Sequence, residues 1–125
     1  MIKFPVPIGE NNKIVIIGGI NVLESIDLAY KVANEFKRTC EILKLPYIFK
    51  ASFDKANRSS IDSYRGPGLE KGLKMLKEIK ETLKVPILTD IHESFQAKKE
   101  LLTIKHRRFL KFSKTIFNLQ RSEDI

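Results

Sequence analysis

From Lys50 to Ser60 the sequence reads Lys-Ala-Ser-Phe-Asp-Lys-Ala-Asn-Arg-Ser-Ser, which places three cations and several hydroxyl and amide donors in one short segment. Arg58 offers a planar fork matched to phosphate oxygens. Lys50 and Lys55 are compact point charges, and Asn57 and Ser59 add neutral donors. Such a loop suits a polyanionic small molecule, although a solvated surface loop has the same composition. Asp90, His92 and Glu93 fall within four residues of one another. An Asp, a His and a Glu so close together can orient a water or move a proton near neutral pH. The competing reading is an acid-rich helix N-terminus with Ser94 as its cap. Asn21 stands three residues before Glu24, so it is either a polar ligand or a capping device for the helix that follows. Cys40 falls in an apolar helical stripe and reads as core.

The elements that must position these groups alternate between strand and helix. Ile14-Val15-Ile16-Ile17 is a β-branched run closed by Gly18-Gly19, the pattern of a strand buried on both faces. Ala29, Val32, Ala33, Phe36, Cys40 and Leu43 recur at helical spacing. Tyr47-Ile48-Phe49 follows as a second strand, then Leu69, Gly72, Leu73, Leu76, Ile79 and Leu83 as a second amphipathic helix, then Ile87-Leu88-Thr89 as a third strand. Strand starts about 33–40 residues apart suit βαβ units. Ile2 to Ile8 with the turn Gly9-Glu10-Asn11-Asn12 predicts a small N-terminal β-hairpin. The chemistry-capable residues all follow strands, at Gly18–Asn21, Lys50–Arg58 and Asp90–Glu93. A barrel loads every strand end in this way, and an open doubly wound sheet does not.

Composition narrows the function classes. The chain has 125 residues, 42% of them hydrophobic and 30% charged, a core-forming balance suited to one domain or part of a larger one. One cysteine excludes a disulfide framework, and with only two histidines a zinc-finger site is excluded too. No apolar stretch approaches the length of a membrane span, and no export signal opens the chain, so the expected location is cytoplasmic. Of the net charge of +8, only a small part lies in residues 1–97, with 15 Lys/Arg against 12 Asp/Glu; residues 98–125 carry 8 against 3. Gly66-Pro67-Gly68 and Gly72 are spaced one residue too long for the dinucleotide fingerprint, and there is no P-loop. These glycines read as a turn into the second helix, whose first N–H groups stay open to a phosphate.

Taken together, Gly18-Gly19-Ile20-Asn21-Val22-Leu23-Glu24-Ser25, Tyr47 through Ser60, Tyr64-Arg65-Gly66-Pro67-Gly68-Leu69, and Thr89-Asp90-Ile91-His92-Glu93 with Gln96-Ala97 resemble the Kdo-8-phosphate synthase family. The resemblance covers Ile14 to Ala97. It implies the first three units of a (β/α)8 TIM barrel, a transferase that condenses phosphoenolpyruvate with arabinose 5-phosphate and releases phosphate for lipopolysaccharide biosynthesis. It implies catalytic roles for Lys55, Asp90 and His92, with Lys55 between the enolpyruvate carboxylate and the aldehyde. It also implies substrate binding by Asn21, Lys50, Asn57, Arg58 and Ser59, with Arg58 and Ser59 on the arabinose phosphate. Metal-using members carry a Cys where this chain has Asn21, so the resemblance is to the metal-independent group, with no metal or other cofactor. A homotetramer is the implied assembly.

The resemblance stops after Ala97, which divides the chain into residues 1–97, the N-terminal part of a synthase domain, and a basic tail, residues 98–125. Such a switch is what a reading-frame change followed by early termination produces. In the tail, Leu102, Phe109, Phe112, Ile116 and Leu119 fit one helical stripe flanked by Lys105, Arg108, Lys111 and Lys114, so a helical tail is expected. An incomplete barrel leaves open strand edges, and the polypeptide alone is expected to be poorly stable, aggregation-prone and nearly inactive. Two alternatives remain: an inert truncated remnant, or a basic module that binds nucleic acid or a membrane surface through the tail. Nucleic acid is not the expected partner.

Overall fold

The computed structural model describes residues 6–55, 60–93, 95–96, 98–99 and, by their backbone, 109–113. Its elements are β1 (Ile16–Val22), α1 (Ile26–Leu43), β2 (Tyr47–Ser52), α2 (Leu69–Leu83), β3 (Ile87–Ile91) and β4 (Phe109–Ser113). The strands form one parallel sheet in the order β1-β2-β3-β4, with no reversal of direction along the sheet. Both helices pack on one face of it.

That face is the core. In β2 and β3 the alternate residues Phe49, Ala51, Ile87 and Ile91 meet Ala29, Ala33 and Cys40 of α1 and Leu73, Leu76, Ile79 and Leu83 of α2. The helical stripes read from the sequence are therefore the inward-facing ones, with Val32, Phe36 and Leu69 half-buried at their margins and Leu43, in the last position of α1, exposed. The other sheet face carries Ile17 and Gly19 from β1, Ile48 and Lys50 from β2, and Leu88 and Asp90 from β3, by the period-two alternation of a strand; in β1 the register shifts between Gly19 and Val22. It is apolar at the amino ends of the strands and polar at their carboxyl ends.

Three expectations need correction. The first strand does not end at Gly18-Gly19 but runs through both to Val22. The glycines are there for space. A Cβ at position 18 would lie 2.6 Å from Cε1 of the Phe36 ring, and one at position 19 would overlap the carbonyl oxygen of Lys50 on the neighbouring strand.

The N-terminal hairpin is not found among the described residues. The turn exists, with Asn12 N–H donating to the Gly9 carbonyl at 3.2 Å, but none of residues 6–15 is in a strand. Pro7 has no N–H to give a ladder. Lys13 instead reaches over to donate to the Lys44 carbonyl at 2.8 Å, placing a cation on the carboxyl end of α1, whose last turn has no basic residue of its own. Residues 1–5 lie outside the described residues.

The tail is not helical at residues 109–113. They form β4, paired in parallel with all of β3 from Ile87↔Phe109 to Ile91↔Ser113. Phe109, Leu110 and Phe112 suit a strand as well as a helical stripe, and the edge of β3 offers a row of unpaired backbone groups that a helix would leave unused. Leu102, Ile116 and Leu119 lie outside the described residues. Among the described residues no helix is long and apolar enough to cross a membrane.

Candidate active site at the carboxyl ends of the strands

In a parallel sheet every strand delivers its carboxyl end to the same rim. The register pairs Gly19 with Lys50 and Lys50 with Leu88. Asp90 lies two residues beyond Leu88, so Lys50 and Asp90 share a face near that rim, and Asn21, past a register shift between Gly19 and Val22, lines a cavity together with Lys50. The cavity, of about 240 Å³, runs along β1 there, bounded by Ile17 to Asn21 and by Lys50. The two glycines make its floor low. A larger hollow, about 490 Å³, lies between Val22, Glu24, Ser63 and Tyr64, and among the described residues that line it none is a candidate catalytic or substrate-binding residue.

Lys50 is half-buried, and its ammonium donates to the Ser52 hydroxyl at 3.0 Å. Burial holds its pKa below the ordinary lysine value, the neighbouring Lys55 adds to that depression, and Asp90 opposes it. Two cations and a carboxylate thus act on one another across the ends of β2 and β3. An anion between the two lysines would relieve their repulsion. Asp90 has one carboxylate oxygen, Oδ1, that is buried and has no hydrogen-bond partner among the described residues, and the Thr89 hydroxyl is in the same position. Polar atoms left in that state are costly, so a donor arriving with a ligand would be well received.

His92 follows β3 directly. Its Nε2 lies 2.7 Å from the backbone carbonyl oxygen of Asp54 and 3.6 Å from Oδ2 of Asp90. The side chain of Asp54 is held by Arg65, Nε to Oδ1 and Nη2 to Oδ2, both at 3.0 Å. Lys55, next in sequence, donates its backbone N–H to the Arg65 carbonyl at 2.6 Å. Beyond His92, the side-chain oxygen of Gln96 accepts from the backbone N–H groups of His92 and Glu93, at 2.8 and 3.2 Å. This is the back-reaching half of a capping box, and Phe95 and Gln96 are helical. The acid-rich helix start is real, and it coexists with His92 facing Asp54 and Asp90. Ser94, its expected cap, lies outside the described residues.

The structure therefore brings Asn21, Lys50, Lys55, Asp90 and His92 to one rim. Asn57, Arg58 and Ser59 lie outside the described residues. Asn21 is not the cap of α1, because Ser25 fills that role with its hydroxyl accepting from Leu28 N–H at 3.1 Å. Asp54 and Arg65 were inside the motifs but gave no signal of pairing, because they are eleven residues apart and only the folded loop joins them. Among the described residues no three His, Cys, Asp or Glu side chains gather closely enough to hold a metal ion.

The profile of the DAHP synthetase I family matches residues 2–104. Over 92 residues, 74% of this chain, the sequence is 61% identical to a Pseudomonas aeruginosa protein named 2-dehydro-3-deoxyphosphooctonate aldolase. It is 59% identical to a protein of that name from Pseudomonas putida and 56% identical to one from Colwellia psychrerythraea, over the same length. In each case the matched part is 33% of the relative, so the chain spans about a third of the length of the curated relatives it matches. Strand β4 lies beyond the family match.

Proposed function

The chain belongs to the DAHP synthetase I family, and on that premise we propose that it is the first part of a Kdo-8-phosphate synthase. The name carried by the relatives is another name for that enzyme. The substrates are phosphoenolpyruvate and arabinose 5-phosphate, and the fold is the first arc of a (β/α)8 barrel acting in the cytoplasm. The observation that supports this best is the pair of mutually repelling lysines, Lys50 and Lys55, beside Asp90 at the carboxyl rim. The site holds two cations ready for an anion.

In the proposed reaction, carbon 3 of the enol attacks the aldehyde carbon of the sugar and a water oxygen adds at carbon 2. The bond from carbon 2 to the phosphate oxygen then breaks and releases inorganic phosphate. The water gives up both protons, one to the aldehyde oxygen and one to the departing phosphate, so that carbon 2 becomes the ketone of the product. Lys55 stabilises charge moving from the enol to the aldehyde oxygen. Lys50 holds the enolpyruvate anion, and Asp90 and His92 are the groups able to handle the water and its proton. Arg58 and Ser59 take the sugar phosphate, with Asn57 beside them. Asn21 puts an amide where metal-using members carry a thiolate, and the reaction is read as metal-free.

Three βα units make only part of a barrel rim, and on this reading the 125-residue polypeptide by itself turns over little or no substrate. Two measurements test the reading. Calorimetry of the chain joined to the remaining two thirds of the Pseudomonas aeruginosa relative should detect phosphoenolpyruvate binding that Lys50→Ala weakens. The same protein should release phosphate only when both substrates are present, and Arg58→Ala should abolish that release. Absence of binding to the completed barrel would overturn the assignment.

A further inference from the structure

Residues Phe53 to Lys55 and Arg65 to Gly68 lie side by side and close the loop between β2 and α2 at its neck. The Lys55 N–H donates to the Arg65 carbonyl at 2.6 Å, and the Gly68 N–H donates to the Phe53 carbonyl at 3.1 Å. Across this neck the Arg65 guanidinium forks onto the Asp54 carboxylate with two parallel bonds of 3.0 Å. One residue thus grips two consecutive others, Asp54 through its side chain and Lys55 through its main chain.

The carbonyl of Asp54 faces the end of β3. Its oxygen lies 2.7 Å from Nε2 of His92. A carbonyl oxygen can only accept, so Nε2 carries the proton, and in the neutral ring the lone pair is on Nδ1. The second oxygen near Nε2, Oδ2 of Asp90 at 3.6 Å, favours the same tautomer.

We propose that Arg65 is a positioning residue: by forking Asp54 it aims the Asp54 carbonyl at His92, fixes the Nε2–H tautomer, and pins the backbone at Lys55. The catalytic meaning of this rests on the synthase reading above, but the tautomer and the pinning do not. Stability is not what the pair supplies. The Arg65 side chain is 58% exposed, and ion pairs at exposed sites add little to stability. A bidentate fork at such a place mainly sets direction.

The test uses the full 125-residue chain labelled with nitrogen-15, with His92→Gln separating the His92 ring signals from those of His106. At pH 8 the wild-type His92 ring should show the Nε2–H tautomer predominating. Arg65→Leu and Asp54→Asn should each shift it toward a mixture and speed amide exchange at Lys55 about tenfold. Arg65→Lys keeps the charge and loses the fork, and should fall between wild type and Arg65→Leu. An unchanged tautomer and unchanged Lys55 exchange in Arg65→Leu and Asp54→Asn would overturn the proposal. So would loss of the circular dichroism of both variants, since the pair would then be structural. Neither readout uses a substrate, so a failure of phosphoenolpyruvate to bind strikes the synthase reading alone.

Discussion

The rings of Phe36 and Tyr47 stack with centroids 5.5 Å apart and planes 5° from parallel, and the Tyr47 hydroxyl donates to the carbonyl oxygen of Gly18 at 2.9 Å. α1, the start of β2 and the middle of β1 are tied together at this one place. Burial pushes the Tyr47 phenol well above its ordinary pKa of 10.0, and the nearby Cys40 adds to the shift. In the unfolded chain the phenol titrates near 10.0 and in the folded chain later, so this contribution to stability is complete below pH 10 and is lost as pH rises beyond it. Tyr47→Phe should cost about 1 kcal/mol at neutral pH. It should also make the alkaline decline shallower, which urea titrations at pH 8 and above 10 can read.

Gly18 and Gly19 make a paired prediction. An alanine at 18 meets the edge of the Phe36 ring, which can shift, so Gly18→Ala should cost about 1–3 kcal/mol. An alanine at 19 meets the Lys50 backbone, which cannot move without breaking the β1–β2 ladder. Gly19→Ala should therefore melt at clearly lower temperature than Gly18→Ala, and equal melting points would contradict this account.

Lys50 gives a pH slope of opposite sign. Its folded pKa is depressed below 10.5, chiefly by burial. The unfolded chain therefore binds its proton more readily, and this group's contribution makes stability rise with pH from the folded pKa up to 10.5. Lys50→Met should remove that slope. In the completed barrel it should weaken phosphoenolpyruvate binding by about 10- to 100-fold through loss of a charge-assisted contact. Denaturant midpoints across that range and calorimetry check the two halves separately.

Asn21 was a candidate cap for α1, and the structure gives that role to Ser25. Ser25→Ala should cost about 1 kcal/mol by loss of the cap. Asn21→Ala, at an exposed strand position, should change stability by no more than about 0.5 kcal/mol. A reversal of the two values in urea denaturation would return the cap to Asn21.

The parts of this fold legible in the sequence are those decided by neighbours along the chain. The stripes of α1 and α2 follow from three- and four-residue spacing, and the site residue types follow strands because loops at strand ends are where polar groups can be wetted. The glycine pair misled, since glycine ordinarily ends a strand. Its reason here is Phe36 and Lys50, eighteen and thirty-one residues away. Residues 109–113 misled in the same manner: their spacing fits a helix, and the deciding partner is the edge of β3. At the site, Lys50 and Asp90 could be named from type and place, whereas the Asp54–Arg65 fork and the approach of His92 to Asp54 could not. Those depend on a loop closing back on itself, which no local periodicity records.

Strand β4 alters where this sheet can grow. By lying along the whole of β3 it turns a raw margin into an interior seam and moves the margin outward by one strand, to a stretch of chain outside the family match. Any further strand added on that side must either recognise the backbone of residues 109–113 or evict them. Whichever happens, the succession of strands beyond β3 is decided by a five-residue ribbon whose sequence owes nothing to the motifs at the rim.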